Sequence, residues 1–390
     1  MELKNKKFLV IGAGITGISI ARLLVDNGAQ YVKIIDIKDH IGGNTYDYKN
    51  ENGFIIHKYG PHIFHTNYDE VIQLLSRFSN FHHFTHQVLV KYKNQLIPLP
   101  INETSIKAIS SDKNIFLKLK LAYKDNKEVS IKQLLNNSDE SIKQLGELIY
   151  KNVYENYTIK MWDITADKID LNVLNRLKIV LSNEWNYFIN DKFVGIPSDG
   201  WTSMMQRMLD HKNIDLYLNY SYKETYDINT LKLLLKNHVY DMVFYTGMID
   251  ELLDYKYGKL PYRSLDFKFE YFKDINDYQP ASVVNYPADK TLTRITEYKK
   301  LCNQLELTGT VISKEYPGAY DINSKRFNLP YYPINNKDTL MLFSKYHEEL
   351  KKIDPNFFVV GRLGQYKYFD TDDAVYNAIK IIKEICNKNE

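Results

Sequence analysis

The sequence has little cysteine. Two residues, Cys302 and Cys386, in a chain of 390 exclude a disulfide scaffold and a cysteine-rich zinc module. It also lacks a charge excess. Lys and Arg number 51 against 48 Asp and Glu, a net of +3, which speaks against a protein built to neutralise a nucleic-acid backbone or an anionic membrane. An anionic partner must then be met by a few placed arginines. No run of about 18 apolar residues occurs, so no membrane span is expected. Residues 1–7 are charged and lead straight into a short apolar run, with no secretory leader legible. A reducing, cytoplasmic setting is expected. Tyrosine, by contrast, is abundant at 32 residues, enough for rings that meet a ligand as well as rings that fill a core. The length predicts two or three domains.

The clearest local pattern opens the chain. Phe8-Leu9-Val10-Ile11 suits a buried parallel strand, and Gly12-Ala13-Gly14-Ile15-Thr16-Gly17 follows it. Apolar residues then recur at helical spacing from Ile18 to Val25, and Val32-Lys33-Ile34-Ile35-Asp36 reads as a second strand. This is a β-α-β unit. Residues 117–176 look helical, being nearly free of Gly and Pro, with apolar spacing of three and four over 142–153. Residues 265–269, 282–286, 292–296 and 311–314 are short, β-branched or aromatic, and predict an antiparallel sheet. Helix, strand and helix are expected over 340–351, 357–360 and 371–387. The fold class is therefore α/β: a Rossmann-like nucleotide-binding domain from 1–84, 195–250 and 335–390, a helical insertion over 100–185, and an antiparallel β-sheet domain from 86–99 and 251–334.

The glycine loop sits between strand and helix, and Asp36 ends the next strand about 20 residues on, the spacing of a dinucleotide fingerprint. Gly12, Gly14 and Gly17 let a pyrophosphate approach the helix N-terminus, and Asp36 can accept from a ribose. A ligand-free tight turn is the plainer reading. NAD and FAD share this loop. His40-Ile41-Gly42-Gly43-Asn44, and Gly361-Arg362-Leu363 after a buried strand, favour FAD.

Further segments carry a resemblance. They are His57-Lys58-Tyr59-Gly60-Pro61-His62-Ile63-Phe64-His65-Thr66-Asn67, Tyr157-Thr158-Ile159-Lys160-Met161-Trp162, Tyr245-Thr246-Gly247, Tyr262-Arg263-Ser264-Leu265, Lys314-Glu315-Tyr316-Pro317, Tyr331-Tyr332-Pro333 and Tyr366-Lys367-Tyr368-Phe369-Asp370. With these, the chain resembles the flavin-dependent UDP-galactopyranose mutases nearly end to end. The resemblance implies an isomerase that interconverts the pyranose and furanose rings of a UDP-sugar without net redox change. It implies FAD, active when reduced, whose N5 forms an adduct with the sugar. The UDP-sugar is the partner implied, and a homodimer is an expectation for the chain itself.

The resemblance also implies roles. Arg176 and Arg362 would hold the diphosphate through guanidinium forks, with Tyr187, Tyr332 and Tyr368 as phenolic donors. Tyr154, Tyr157 and Trp162 would form the uridine site, although Tyr154 and Tyr157 at i, i+3 equally fit a packing stripe. His62 and His65 would lie by the flavin as charged or hydrogen-bonding groups. Six of the ten histidines fall between His57 and His86, yet no further ligands stand at zinc spacing, so no metal is expected. Arg263, Glu315 and Asp370 match functional positions, and Thr246, Gly247 and Gly361 would line the cofactor with Gly42, Gly43 and Asn44.

Departures from the family pattern cluster at the sugar. Pro61 stands where alanine is usual, His86 where asparagine contacts the sugar, and residues 318–328 diverge. Asp163 replaces a glycine after Trp162, which bears on the loop hinge. UDP-galactopyranose is the default substrate, with UDP-arabinopyranose, UDP-N-acetylgalactosamine and 6-deoxy sugar nucleotides as alternatives. An FAD amine-oxidase-like oxidoreductase and a non-catalytic nucleotide-sugar binder are the readings from other classes.

Overall fold

A computed structural model describes residues 3–124, 126–169, 178–220 and 227–387. Lys7–Ile11 is the middle strand of a five-stranded parallel sheet. From one edge the order is Ile214–Tyr217, Tyr31–Ile35, Lys7–Ile11, Met242–Tyr245 and Phe357–Val359. Side chains alternate between the two faces. Phe8 and Val10 pack with the helices Ile15–Asp26, Trp201–Leu209 and Thr371–Asn387. Leu9 and Ile11 pack on the other side with Leu231, Leu235, Tyr346 and Leu350, carried by the helices Ile228–Lys236 and Lys337–Lys351. A three-layer, Rossmann-like α/β arrangement results, with both faces of the parallel sheet covered.

The second sheet has seven strands, in the order Tyr332–Pro333, Tyr262–Phe272, Thr310–Ala319, Arg294–Glu297, Val283–Asn285, Val88–Tyr92 and Gln95–Leu99. It departs from the expectation in two respects. Tyr262–Phe272 and Thr310–Ala319 pair over ten positions, from Arg263 with Ala319 to Phe272 with Thr310, far longer than the short strands the turn residues suggested. The junction of Val283–Asn285 with Val88–Tyr92 is parallel, so the sheet is mixed. Two strands nearly 200 residues apart in sequence need no hairpin, and nothing local fixes their direction.

The helices Glu103–Ile109, Ile115–Ala122, Ile131–Leu135 and Glu140–Ile149 bury one apolar core against the Val88–Tyr92 and Gln95–Leu99 strands. Glu140–Ile149 passes into a π-helical stretch, Tyr150–Glu155, before the helix Asn156–Trp162. Such wide turns re-aim side chains and recur at functional sites.

One cap links this frame to the cleft described below. Helix Trp201–Leu209 begins at Gly200, and buried Asp47 accepts from the backbone N–H groups of Trp201 at 2.6 Å and Thr202 at 2.9 Å. The fully buried Trp201 indole then donates to the His62 carbonyl at 2.9 Å. Asp47→Ala should leave two helix N–H groups unpaired in the core, and is expected to lower stability by about 2–3 kcal/mol. The check is denaturant unfolding, with an unaltered midpoint as the contrary result.

Candidate active site

The glycine loop is built by close backbone approach. At Gly12, φ is +110° and a Cβ would fall 1.8 Å from Thr246 Oγ1; at Gly17 one would fall 2.0 Å from the Gly12 carbonyl oxygen. Thr246 reaches across to donate from both N and Oγ1 to the Ile11 carbonyl. The Gly42 N–H donates to the Ala13 carbonyl at 2.7 Å, which brings Gly43 and Asn44 beside the loop. Asp36 accepts from the Ala13 N–H at 2.6 Å and the Lys38 N–H at 2.9 Å. These groups line a groove of about 250 Å³ that continues to Gly247, Gly361, Arg362 and Asp370.

A second cavity, about 490 Å³, opens beyond it. It is walled by Tyr154, Tyr157 and Trp162 from the helical side and by Tyr332, Arg362, Tyr368 and Asp370 from the chain's return, with Pro61, His65, His86, Tyr187, Asp191 and Arg294 completing it. His62, Arg362, Asp370 and Thr371 line both cavities. The groove and the cleft therefore meet end to end.

Arg294, Arg362 and Lys178 bring positive charge to this cleft, and Glu128, Asp191 and Asp370 negative charge. Burial, with His57 and Arg362 adding to it, pushes the His62 imidazole down to about 3; burial, with His65 and Arg294, does the same for His86. Both rings are neutral at physiological pH. Arg362 donates from Nε and Nη2 to the Phe369 carbonyl, with Nε at 3.0 Å, and from Nη1 to the Tyr331 carbonyl at 3.3 Å. Its guanidinium lies 5.3 and 5.2 Å from the ring centroids of Tyr332 and Tyr368. Arg294 pairs with the buried Glu315 carboxylate at 3.1 Å and donates from Nη2 to the Tyr157 hydroxyl at 2.8 Å. Among the described residues, no cluster of His, Cys, Asp and Glu is placed to hold a metal.

A family model for UDP-galactopyranose mutase matches residues 152–368, and one for NAD(P)-binding Rossmann-like domains matches residues 10–78. A UDP-galactopyranose mutase from Mycoplasma genitalium is 38% identical, over 99% of this chain and 96% of the relative. The chain belongs to the UDP-galactopyranose mutase family. A dTDP-fucopyranose mutase from Escherichia coli is 34% identical, over 98% of this chain and 99% of the relative. The crystal structure of a reduced UDP-galactopyranose mutase superposes with a TM-score of 0.69 at 17% identity, covering 98% and 94% of the two chains, a likeness of fold. The chain is accordingly a sugar-nucleotide mutase, an isomerase on a dinucleotide-binding scaffold.

Against this family background, the structure gathers most of the residues singled out in the sequence. All ten cofactor residues named there line the groove, and Tyr154, Tyr157, Trp162, Tyr187, Tyr332, Tyr368, His62, His65, His86, Arg362 and Asp370 line the cleft. Arg176 lies outside the described residues. Two placements differ. Arg263 does not face the cleft: its buried guanidinium donates to the carbonyls of Met161 at 2.8 Å and Lys160 at 3.2 Å and pairs with Asp163 at 3.3 Å. A guanidinium is the right shape to close a helix C-terminus, where carbonyls lack partners. Glu315 is likewise behind the wall, accepting from Thr293 Oγ1 at 2.8 Å and holding Arg294. The divergent residues 318–328 do not line the cleft either.

Asp163 takes the left-handed conformation at the end of Asn156–Trp162, with φ 55° and ψ 49°. That is where glycine costs least, and the aspartate is held there by Arg263. Arg294 and Asp191 were not singled out in the sequence. A lone arginine within the β-branched run Leu292-Thr293-Arg294-Ile295-Thr296 was the available signal for the first; only the fold reveals the second. Arg294→Met should leave the Glu315 carboxylate buried without its cation, and is expected to lower stability by about 3 kcal/mol. Calorimetry of the variant checks this, and an unchanged melting temperature would refute the pairing as a structural one.

Proposed function

We propose that this chain binds FAD in the groove and interconverts the pyranose and furanose forms of a UDP-sugar in the cleft, with UDP-galactopyranose as the default substrate. The observation that carries the reading is the meeting of the two cavities at His62, Arg362, Asp370 and Thr371. A dinucleotide laid along the glycine loop ends where a sugar nucleotide lying among arginines and tyrosines would also end. The residues fit FAD: Asp36 at the ribose, the loop amides and the Ile15–Asp26 helix N-terminus at the pyrophosphate, and Gly361 with His62 at the ring. Bound and reduced, the flavin would supply the nucleophilic nitrogen, in keeping with a cleft that presents no activated serine or cysteine among its described residues.

The chain's own residues bind, orient and stabilise charge. Arg362 and Arg294 hold the diphosphate and favour UDP as it leaves, with Tyr187, Tyr332 and Tyr368 as donors. Tyr154, Tyr157 and Trp162 enclose the uracil ring. Neutral His62 supports the ring junction by hydrogen bonding, its Nδ1 lying 2.8 Å from the Gly60 carbonyl oxygen. A second reading of the sugar is favoured by His86, a buried neutral imidazole on the cleft wall whose Nδ1 has no partner among the described residues. The family resemblance implies a smaller amide here, and an imidazole would leave less room for a 6-hydroxymethyl arm directed at it. The relative named for dTDP-fucopyranose, a 6-deoxy sugar, is consistent with this.

Dithionite-reduced protein given UDP-galactopyranose should form the furanose, and air-oxidised protein should not; furanose formed equally by both would overturn the flavin assignment. Gly17→Ala, whose Cβ meets the Gly12 carbonyl, should abolish bound yellow chromophore in the purified protein. A sugar nucleotide lacking the 6-hydroxyl or the whole arm should be accepted at least as well as UDP-galactopyranose, by roughly 10- to 200-fold in kcat/KM at most. A clear preference for UDP-galactopyranose, unchanged by His86→Asn, would discard the pocket argument.

A further inference from the structure

The cleft wall contains a polar chain in which the direction of every hydrogen bond is fixed. It starts at backbone: the Lys192 N–H donates to Asn67 Oδ1 at 3.0 Å, which settles how the Asn67 amide is turned. Asn67 Nδ2 then donates to Asp191 Oδ1 at 2.7 Å. The other carboxylate oxygen, Oδ2, lies 2.9 Å from His65 Nδ1. A carboxylate can only accept, so Nδ1 carries the hydrogen. The His65 ring lies flat on Phe188, centroids 3.9 Å apart and planes 13° apart, which restricts its rotation. Its Nε2 has no partner among the described residues, and His65 lines the cleft.

We propose that Asp191 is a positioning residue that holds His65 as the Nδ1–H tautomer, so that the ring presents Nε2 to the cleft as a hydrogen-bond acceptor for a sugar hydroxyl. The inference rests on the nucleotide-sugar reading above. Which ring nitrogen carries the proton is set by the partner of the other one, and here that partner is itself oriented by Asn67 and the backbone.

The same chain predicts what an isosteric change does. In Asp191→Asn the Asn67 N–H₂ still points at position 191, so the new amide turns its oxygen towards Asn67 and its own N–H₂ towards His65. Nδ1 must then accept, the proton moves to Nε2, and the acceptor in the cleft becomes a donor. Adding Asn67→Asp reverses this. The carboxylate at 67 keeps the Lys192 N–H and draws the amide N–H₂ at 191, which returns an oxygen to His65 Nδ1.

The experiment reads the His65 tautomer by ¹⁵N NMR of imidazole-labelled protein in alkaline buffer, without substrate, and kcat and KM of the reduced enzyme on its preferred sugar nucleotide. The native protein should show Nδ1–H. Asp191→Asn should show Nε2–H with kcat lowered at least about tenfold, and the double variant should recover both the tautomer and most of the rate. An Nε2–H ring in the native protein overturns the inference, and does so even if Asp191→Asn fails to fold. A reversed tautomer with an unchanged rate, or a restored tautomer without recovered rate, overturns it as well. Native protein inactive on every sugar nucleotide would instead overturn the reading on which the inference rests.

Discussion

The helix that ends in Trp162 is fastened to the large sheet by cations on carbonyls, and the cleft depends on that fastening. Arg263, from the Tyr262–Phe272 strand, closes the carbonyls of Lys160 and Met161. Lys160 in turn donates to the carbonyls of Tyr286, Asp289 and Leu292 at 2.9, 2.6 and 2.5 Å. Both attachments use buried or half-buried positive charge against main-chain dipoles, interactions that weaken steeply with misalignment. They therefore fix the helix in position as well as in orientation. Tyr157 and Trp162 project from it into the cleft, one to meet Arg294 and the other to approach Tyr332 at 6.2 Å. Remove the fastening and one wall of the site has no fixed place.

Charge is used sparingly within the walls. Burial keeps His62 and His86 neutral, and Glu315 sits behind Arg294 to hold it charged where desolvation alone would oppose it. Arg362 is steadied by carbonyls and bracketed by two tyrosine rings. A desolvated site with few, immobile cations suits an anion whose charge changes during reaction, because the stabilising groups need not reorganise. The near-zero net charge of the chain leads to the same conclusion: anion recognition here is local, not a property of the whole surface.

Much of this was legible in the sequence, and the division has a physical cause. The β-α-β opening and its glycine loop are local patterns, dictated by strand period, helix period and the need for close backbone approach. The cleft residues were legible through motifs, because segments such as residues 57–67 and 366–370 keep their order and spacing. What escaped were facts of long-range pairing. The parallel junction of Val283–Asn285 with Val88–Tyr92 has no local signature. Arg263 and Arg294 are both arginines in strands, and only the pairing decides which one faces the cleft: Arg263 turns to a helix end, Arg294 to Tyr157. Asp191 stands 126 residues from its histidine, in a loop whose sequence reads as an ordinary turn.

The end of the Trp162 helix has one more consequence. Where a glycine would stop a helix by conformational freedom alone, Asp163 stops it with a charge, held by a buried arginine while its own side chain is 76% exposed. A conformational stop is indifferent to the surrounding medium. An electrostatic one is not, since mobile ions screen the exposed half of the pair. Asp163 is thus held by a force graded with ionic strength, a sensitivity to salt that the buried cations of the cleft do not share.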